Sequence, residues 1–431
     1  MSTIDSALAD VDVAVVHGNY FQRGGGEVVA EELARAFDAP LYYGFGDREA
    51  IPTESDVEFR SLFGDRRAAA LSGSTLLRDA YYLWAFQHVE ELHEYDLLVQ
   101  SGNEMGWYVP PDDQVLLKYV HSTPRTTYDR FPVEGGSAIT RLYAFANRVL
   151  YRPNLAYPDV YLVNSELIAR RCERYWDIDP DRIEVLYPPV DTDSYTSDAP
   201  REDFYFTFSR FSPAKRIDEI IGAFAEHPEK RLVVGGSGPD RERLEELAGP
   251  NVEFRGYLSE QEKRDLLSRA RALCFAARNE DFGIVPIEAF ASGCPVIGVR
   301  EGYTQHQIEE GITGLVYDRG VGNLSWAIWR FDRDGVSASP TEIAARAKRY
   351  DIDRFRDRIR EVAARAYEDS RIASRIAPVD TTPSEPADGE PTGRERVDRP
   401  SAEQIFGETE LNADEPAARL TLPDGGDDGE E

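Results

Sequence analysis

Two carboxylates and two cations offer the clearest chemistry in this chain. Glu280 and Glu288 lie in the stretch Arg278 to Gly298, reading RNEDFGIVPIEAFASGCPVIG. Asn279, Glu280 and Asp281 bring capping and negative character to a helix start, and Gly283 lets a backbone come close. Ile284, Ile287, Ala289, Phe290 and Ala291 follow at roughly helical spacing. Ser292 and Gly293 end that helix, Pro295 blocks its extension, and Val296 to Val299 reads as an interior parallel strand. One carboxylate therefore sits at a helix mouth and the other within the helix. The free N–H groups of such an end suit a phosphate or a sugar hydroxyl. Glutamate is common here, so the spacing alone is weak and its surroundings give it weight.

The cations occur in FSRFSPAKRIDEIIGAF, which starts at Phe208. A strand ends, a loop carries Arg210 and Lys215, and a helix opens at about Arg216. Two positive charges at a strand-to-helix turn can neutralise a diphosphate. Lys215 is one of only five lysines, at 118, 215, 230, 263 and 348, against 44 arginines. The plainer reading is an exposed basic pair on a solvated turn.

Three further features belong to strand ends. His121 follows Val115 to Val120, where a doubly wound sheet opens toward ligand, although a lone histidine also serves structure. Gly24, Gly25 and Gly26 follow the strand Val11 to Val16 and by themselves read as a flexible loop. Gly235-Gly236-Ser237-Gly238-Pro239 ends another strand, and Gly236 fits close nucleotide approach as well as a plain turn. A dinucleotide fingerprint at Gly24-x-Gly26 fails, because Val29 occupies the third glycine position. Asp10-x-Asp12, Asp177-x-Asp179, Asp191-x-Asp193 and Asp351-x-Asp353 match metal-binding D-x-D, but none ends an interior strand suited to Mg²⁺, so no metal site is expected. Neither a Ser-His-Asp order nor a Walker sequence is present.

The elements that must position these residues alternate between strand and helix. Val11 to Val16, Asp96 to Val99, Val115 to Val120, Val160 to Val163 and Ile183 to Leu186 read as strands of a first α/β domain, residues 1–190. A polar, proline-bearing linker covers 191–203. Strands at Phe204 to Phe208, Leu232 to Gly235, Val252 to Phe254, Ala272 to Ala276 and Val296 to Val299 make a second, residues 204–350. Between them run helices at Ile217 to Glu226, Asp240 to Ala248, Glu260 to Ala270 and Gly283 to Ala291. A charged helix from Ile352, about 352–370, packs back on the first domain. From 377 to 431 the chain holds 16 acids and four arginines and reads as a disordered, solvating tail.

The 431 residues carry a formal net charge of −30. An acid-rich, lysine-poor surface stays hydrated in molar salt, which points to a halophile; a merely acidic mesophile protein is the other account. No basic stripe exists for nucleic acid. Cys172, Cys274 and Cys294 are odd in number and lack metal spacing, so buried free thiols and a reducing, cytoplasmic compartment are expected. No signal-peptide pattern or spanning run is present. The segment Arg141 to Arg152, RLYAFANRVLYR, is amphipathic: a core helix, or one resting on the inner face of an anionic membrane.

The strings S-R-F-S-P-A-K-R-I-D, G-G-S-G-P and E-D-F-G-I, in this order and spacing, resemble the carboxyl domain of family 4 retaining glycosyltransferases. YVHSTPRTTYD at Tyr119 to Asp129, VNS at Val163 to Ser165 and LYPPVD at Leu186 to Asp191 are similar to O-antigen-type mannosyltransferases. The resemblance covers about residues 10 to 370. It implies the GT-B architecture, two Rossmann-like doubly wound domains facing a cleft. It also implies metal-independent hexose transfer from a nucleotide-diphosphate sugar, with GDP-mannose the first to consider, to a glycan or lipid-linked hydroxyl. The donor is a substrate, and no cofactor is expected. By resemblance, Arg210 and Lys215 grip the diphosphate, Glu280 binds the transferred sugar with help from main-chain N–H groups near Phe282 and Gly283, and Glu288 binds the ribose. His121 faces the sugar from across the cleft, and the loop Gly24, Gly25 and Gly26 lies close to the donor phosphates or the acceptor, again by resemblance. Two departures stand out: Glu301-Gly302-Tyr303 replaces a glycine pair, and Asp281 replaces a small residue. A nucleotide-sugar epimerase, a phosphorylase and a non-catalytic scaffold share the same architecture.

Overall fold

The computed structural model describes residues 6–47, 49–52, 54–64, 75–103, 106–124, 127–128 and 138–376. The acidic tail expected at 377–431 lies outside the described residues.

Two parallel sheets organise the chain. The first holds β1 (Val13–Tyr20), β2 (Leu41–Gly46), β3 (Phe59–Ser61), β4 (Leu97–Ser101), β5 (Val115–Val120), β6 (Val160–Val163) and β7 (Ile183–Val185), in the order β3-β2-β1-β4-β5-β6-β7. Helices α1 (Gly25–Phe37), α2 (Thr75–Ala85), α3 (Ala138–Tyr151) and α4 (Glu166–Arg171) connect them. Every residue of β4 and β5 is buried, because helices cover both faces and leave no polar side.

The second sheet holds β8 (Phe204–Phe208), β9 (Arg231–Gly235), β10 (Val252–Gly256), β11 (Ala272–Phe275), β12 (Val296–Val299) and β13 (Gly314–Tyr317), ordered β10-β9-β8-β11-β12-β13. Its helices are α5 (Ile217–Ala225), α6 (Arg241–Leu247), α7 (Glu260–Arg269), α8 (Ile284–Ala291), α9 (Thr304–Gln307), α10 (Val321–Asp334) and α11 (Pro340–Ala347). The strand order reverses at β1 and β4 in one sheet and at β8 and β11 in the other. Ligand crevices of doubly wound sheets open at the carboxyl ends of such strands.

A last helix, α12 (Ile352–Ile376), continues past its expected end at about 370. Its buried Phe355, Ile359, Val362, Ala363 and Ala366 share one core with Val29 and Leu33 of α1 and Leu117 and Tyr119 of β5. Burying each of the larger ones is worth roughly 1.5–3 kcal/mol. The chain leaves the first lobe at Val190 and returns beside it: the Val190 N–H donates to the Tyr350 carbonyl at 2.9 Å, and Ile352 N–H to the Val190 carbonyl at 3.1 Å.

In α3, which holds most of the segment read as a core helix or a membrane-resting one, Leu142, Phe145 and Leu150 are 69%, 52% and 51% exposed. Among its described side chains Ala144 and Tyr151 are buried. Among the described residues no helix is long and apolar enough to cross a membrane. All three cysteines are buried free thiols, and burial pushes the Cys294 thiol up to about 11.

Candidate functional site

The loops that follow β8 and β11 lie side by side, joined by the Arg278 N–H donating to the Ala214 carbonyl at 2.8 Å. This brings Lys215 to Glu280, with Nζ 2.7 Å from Oε2 and both side chains partly open to solvent. Arg210 stands exposed in the same loop, without an ion-pair partner among the described residues. The turn after β9 packs against this loop. Gly236 has φ +120°, and a Cβ there would fall 1.9 Å from the Ser209 carbonyl oxygen. Only glycine permits that approach, so Gly236 has a structural reason to be present beside Arg210.

Helix α8 starts at Gly283, with φ 85° and no side chain capping it, so its first-turn N–H groups remain for a ligand. Gln307 holds this start in place by donating Nε2–H to the Gly283 carbonyl at 3.1 Å. The Phe282 ring is buried, stacked on Tyr303 at 5.8 Å and 22°, so its main chain and not its ring is left for a ligand.

The departure at Glu301-Gly302-Tyr303 turns out to support Glu280 from behind. Tyr303 N–H donates to the Glu280 carbonyl at 2.8 Å. Gly302, φ +57°, packs so closely that an added Cβ would lie 2.4 Å from the Glu280 carbonyl oxygen. Glu301 is committed to Arg319, which also pairs with the buried Glu219 at 2.7 Å.

Glu288 is held in a cluster of its own. It is 9% exposed, with Lys263 Nζ at 2.6 Å and the Tyr195 hydroxyl donating at 3.0 Å. Lys263 also lies over the Phe208 ring, 5.7 Å from its centroid, at the end of β8. Sequence reasoning missed Lys263, although its rarity as a lysine is the signal that singled out Lys215.

The first lobe contributes the loops after β1, β4 and β5. His121 Nε2 lies 2.8 Å from Ser101 Oγ, which lies 3.1 Å from His17 Nδ1. His17 Nε2 in turn lies 3.7 Å from Glu27 Oε1. The other Glu27 oxygen accepts the Gly24 N–H at 3.0 Å, closing the turn into α1. Gly26 lies against both imidazoles, and a Cβ on Gly25 would sit 3.1 Å from Ile284 Cδ1 of α8. The glycine loop thus abuts the helix that carries the acidic pair.

The two lobes are tied at this level. Ser165 caps α4 and donates its hydroxyl to the Asp281 carbonyl at 2.7 Å, while Arg171 pairs with the Asp281 carboxylate at 2.5 Å. Glu166 accepts hydrogen bonds from the hydroxyls of Tyr187 and Tyr303. Asn164 donates to the His121 carbonyl at 2.6 Å. The segment Val163 to Ser165 therefore joins His121 to the loop after β11, and Asp281 is an interlobe anchor.

Burial and the neighbouring His17 lower the His121 pKa to about 3 from 6.5, with Glu27 opposing. The neutral ring is thus favoured in the folded state, and the unfolded chain binds the extra proton as pH falls below 6.5. Stability tied to His121 is present above that pH and is lost on descending toward 3. Between about pH 7.5 and 5 the loss amounts to up to about 2 kcal/mol. Urea unfolding at the two pH values should show a smaller loss for His121→Gln than for the parent; equal losses would refute this.

A family model described as glycosyl transferases group 1 matches residues 196–350. The Anabaena protein HepE, solved with UDP, superposes with TM-score 0.63 at 16% identity, covering 81% of this chain and 99% of its own. The chain has the GT-B fold, and its second lobe is similar to the group 1 glycosyl transferases. Sucrose-phosphate synthase from Thermosynechococcus elongatus shares the fold with TM-score 0.67 at 17% identity, covering 83% and 100%. D-inositol 3-phosphate glycosyltransferase of Mycobacterium sp. strain KMS is 31% identical over 241 residues, 50% of this chain and 53% of that protein. Human alpha-1,3/1,6-mannosyltransferase ALG2 is 26% identical over 248 residues, 49% and 59%. The chain spans little more than half the length of these relatives.

Proposed function

We propose that this chain is a retaining, metal-independent glycosyltransferase that moves a hexose from a nucleoside-diphosphate donor to a hydroxyl of a glycan or lipid-linked acceptor. GDP-mannose is the donor to try first, a choice supported by the likeness to ALG2. The observation that carries the reading is the meeting of two switch points: Lys215 and Glu280 pair at 2.7 Å after β8 and β11, and the glycine loop after β1 abuts Ile284.

In this reading the diphosphate lies between the Arg210–Lys215 loop and the uncapped start of α8. Lys215 has three N–H donors, enough to serve Glu280 and a phosphate together. As the bond from the sugar's C1 to the diphosphate breaks, negative charge grows on the leaving oxygen. Lys215 and the helix N–H groups are in place to receive it before the reaction starts, and Arg210 of the same loop reaches it from solvent. The acceptor oxygen bonds to C1 on the same face, and its proton passes to the departing diphosphate, so no protein base is needed. Glu280 binds the transferred sugar, Glu288 the ribose, and His121 approaches the sugar from the first lobe.

A nucleotide-release screen over GDP, UDP and ADP sugars, run in high potassium chloride with sugar acceptors, tests this. Acceptor-dependent release from one donor is expected. Release that requires inorganic phosphate would favour a phosphorylase, and conversion of donor without acceptor an epimerase. Absence of both turnover and calorimetric binding would leave a scaffold.

A further inference from the structure

The four groups Glu27, His17, Ser101 and His121 come from the start of α1 and the ends of β1, β4 and β5, and they form one line. Ser101 is 1% exposed and His17 7%. A serine hydroxyl has a single proton, yet both imidazoles address the same oxygen, at 3.1 Å and 2.8 Å. With both rings neutral, one ring nitrogen must accept the serine proton and the other must donate to the serine oxygen. Which arrangement holds depends on the far end of the line. Burial opposes the charge on Glu27, but the His17 ring and the N–H groups of Glu27 and Gly24 outweigh it and hold its pKa below the ordinary value. A carboxylate 3.7 Å from His17 Nε2 favours a proton on that nitrogen.

We infer that Glu27, through His17 and Ser101, fixes the tautomer of His121, making its Nδ1 a hydrogen-bond acceptor. The reasoning runs bond by bond. Protonated Nε2 of neutral His17 leaves a lone pair on Nδ1. Ser101 donates its proton there, so its oxygen accepts from His121, and His121 carries its proton on Nε2. The remaining nitrogen, Nδ1, bears a lone pair on the side of Gly26, where a Cβ would lie 3.9 Å from it. His121 is partly exposed, so this lone pair is open to a hydroxyl donor. Glu27 is thus a positioning residue with two tasks: one oxygen closes the glycine turn and the other sets the polarity of the line. The role of Nδ1 toward a sugar hydroxyl rests on the proposed function; the tautomer itself does not.

Nitrogen-15 NMR of the full chain with labelled histidine, at about pH 8 where free imidazole is neutral, reads the tautomers directly. The six histidines are assigned with His17→Gln and His121→Gln. His17 and His121 should both carry the proton on Nε2. In Glu27→Gln the amide oxygen can keep the Gly24 N–H while its NH₂ faces His17, so both rings should switch to Nδ1–H. With Ser101→Ala added, His17 should still switch while His121 no longer follows. A parent His121 protonated on Nδ1, or a His121 that ignores Glu27→Gln, overturns the inference. With GDP-mannose, kcat/KM of Glu27→Gln should fall about 10-fold, one neutral hydrogen bond's worth, with GDP affinity unchanged. Activity lost without a tautomer change would mark Glu27 as merely structural. A tautomer change that leaves kcat/KM unaltered would remove the acceptor role of Nδ1 while leaving the glycosyltransferase reading in place.

Discussion

Lys215→Ala should lower kcat for sugar transfer by about 10²–10³-fold, the usual cost of removing one preorganised group that stabilises transition-state charge. The side chain sits 2.7 Å from Glu280 and is 31% exposed, so the ion pair contributes at most about 1 kcal/mol to folding. The thermal midpoint should therefore move little while turnover collapses. Lys215→Arg keeps the charge but spreads it over a planar fork, and it should recover part of the rate. Stopped and steady-state nucleotide release separate these outcomes. A Lys215→Ala enzyme within threefold of the parent would remove this residue from the leaving-group site.

Gly302→Ala should reduce turnover about 100-fold without touching any ligand. Its φ of +57° already penalises a side chain, by roughly 1–2 kcal/mol. The new methyl would also lie 2.4 Å from the carbonyl oxygen and 2.5 Å from the nitrogen of Glu280. Those are main-chain atoms that cannot swing aside, so the Glu280 loop must shift and the Lys215 contact with it. A displacement near 1 Å at a reacting centre is enough for a loss of that order. Gly311→Ala is the matched control, with φ +73° and nothing within 4 Å. It should lose comparable backbone stability and keep its activity. Equal activity losses in the two variants would mean that general destabilisation, and not Glu280, is responsible.

The parts of the site that could be read in the sequence are those in which neighbouring residues share one loop. Lys215 and Glu280 each sit in a strand–loop–helix string whose apolar spacing announces the elements around it, and the parallel topology then brings the two loops together. The line from Glu27 to His121 was not legible in this way. Its four members come from four elements, and Ser101 in VQSG carries no local sign of what it touches. Lys263 and Glu288 meet across two helices, which spacing within either helix does not reveal. The same limit applies to the fold. Strands β4 and β5 open on apolar runs, whereas LYYGFG of β2 and GLVY of β13 carry glycines that read as turn residues. Asp281 and Tyr303 looked like departures because their partners, Arg171 and Glu166, lie more than a hundred positions upstream.

Helix α12 has a practical consequence for dissecting the molecule. The first lobe is completed by a segment encoded after the second, so it is not a continuous stretch of gene. A fragment ending at 350 would leave Val29, Leu33 and Leu117 facing water. A fragment spanning 196–376 would carry an orphaned greasy stripe through Phe355, Ile359 and Val362. Isolated halves would thus tend to aggregate, and a clean separation calls for moving those 25 residues to the end of the first half by circular rearrangement.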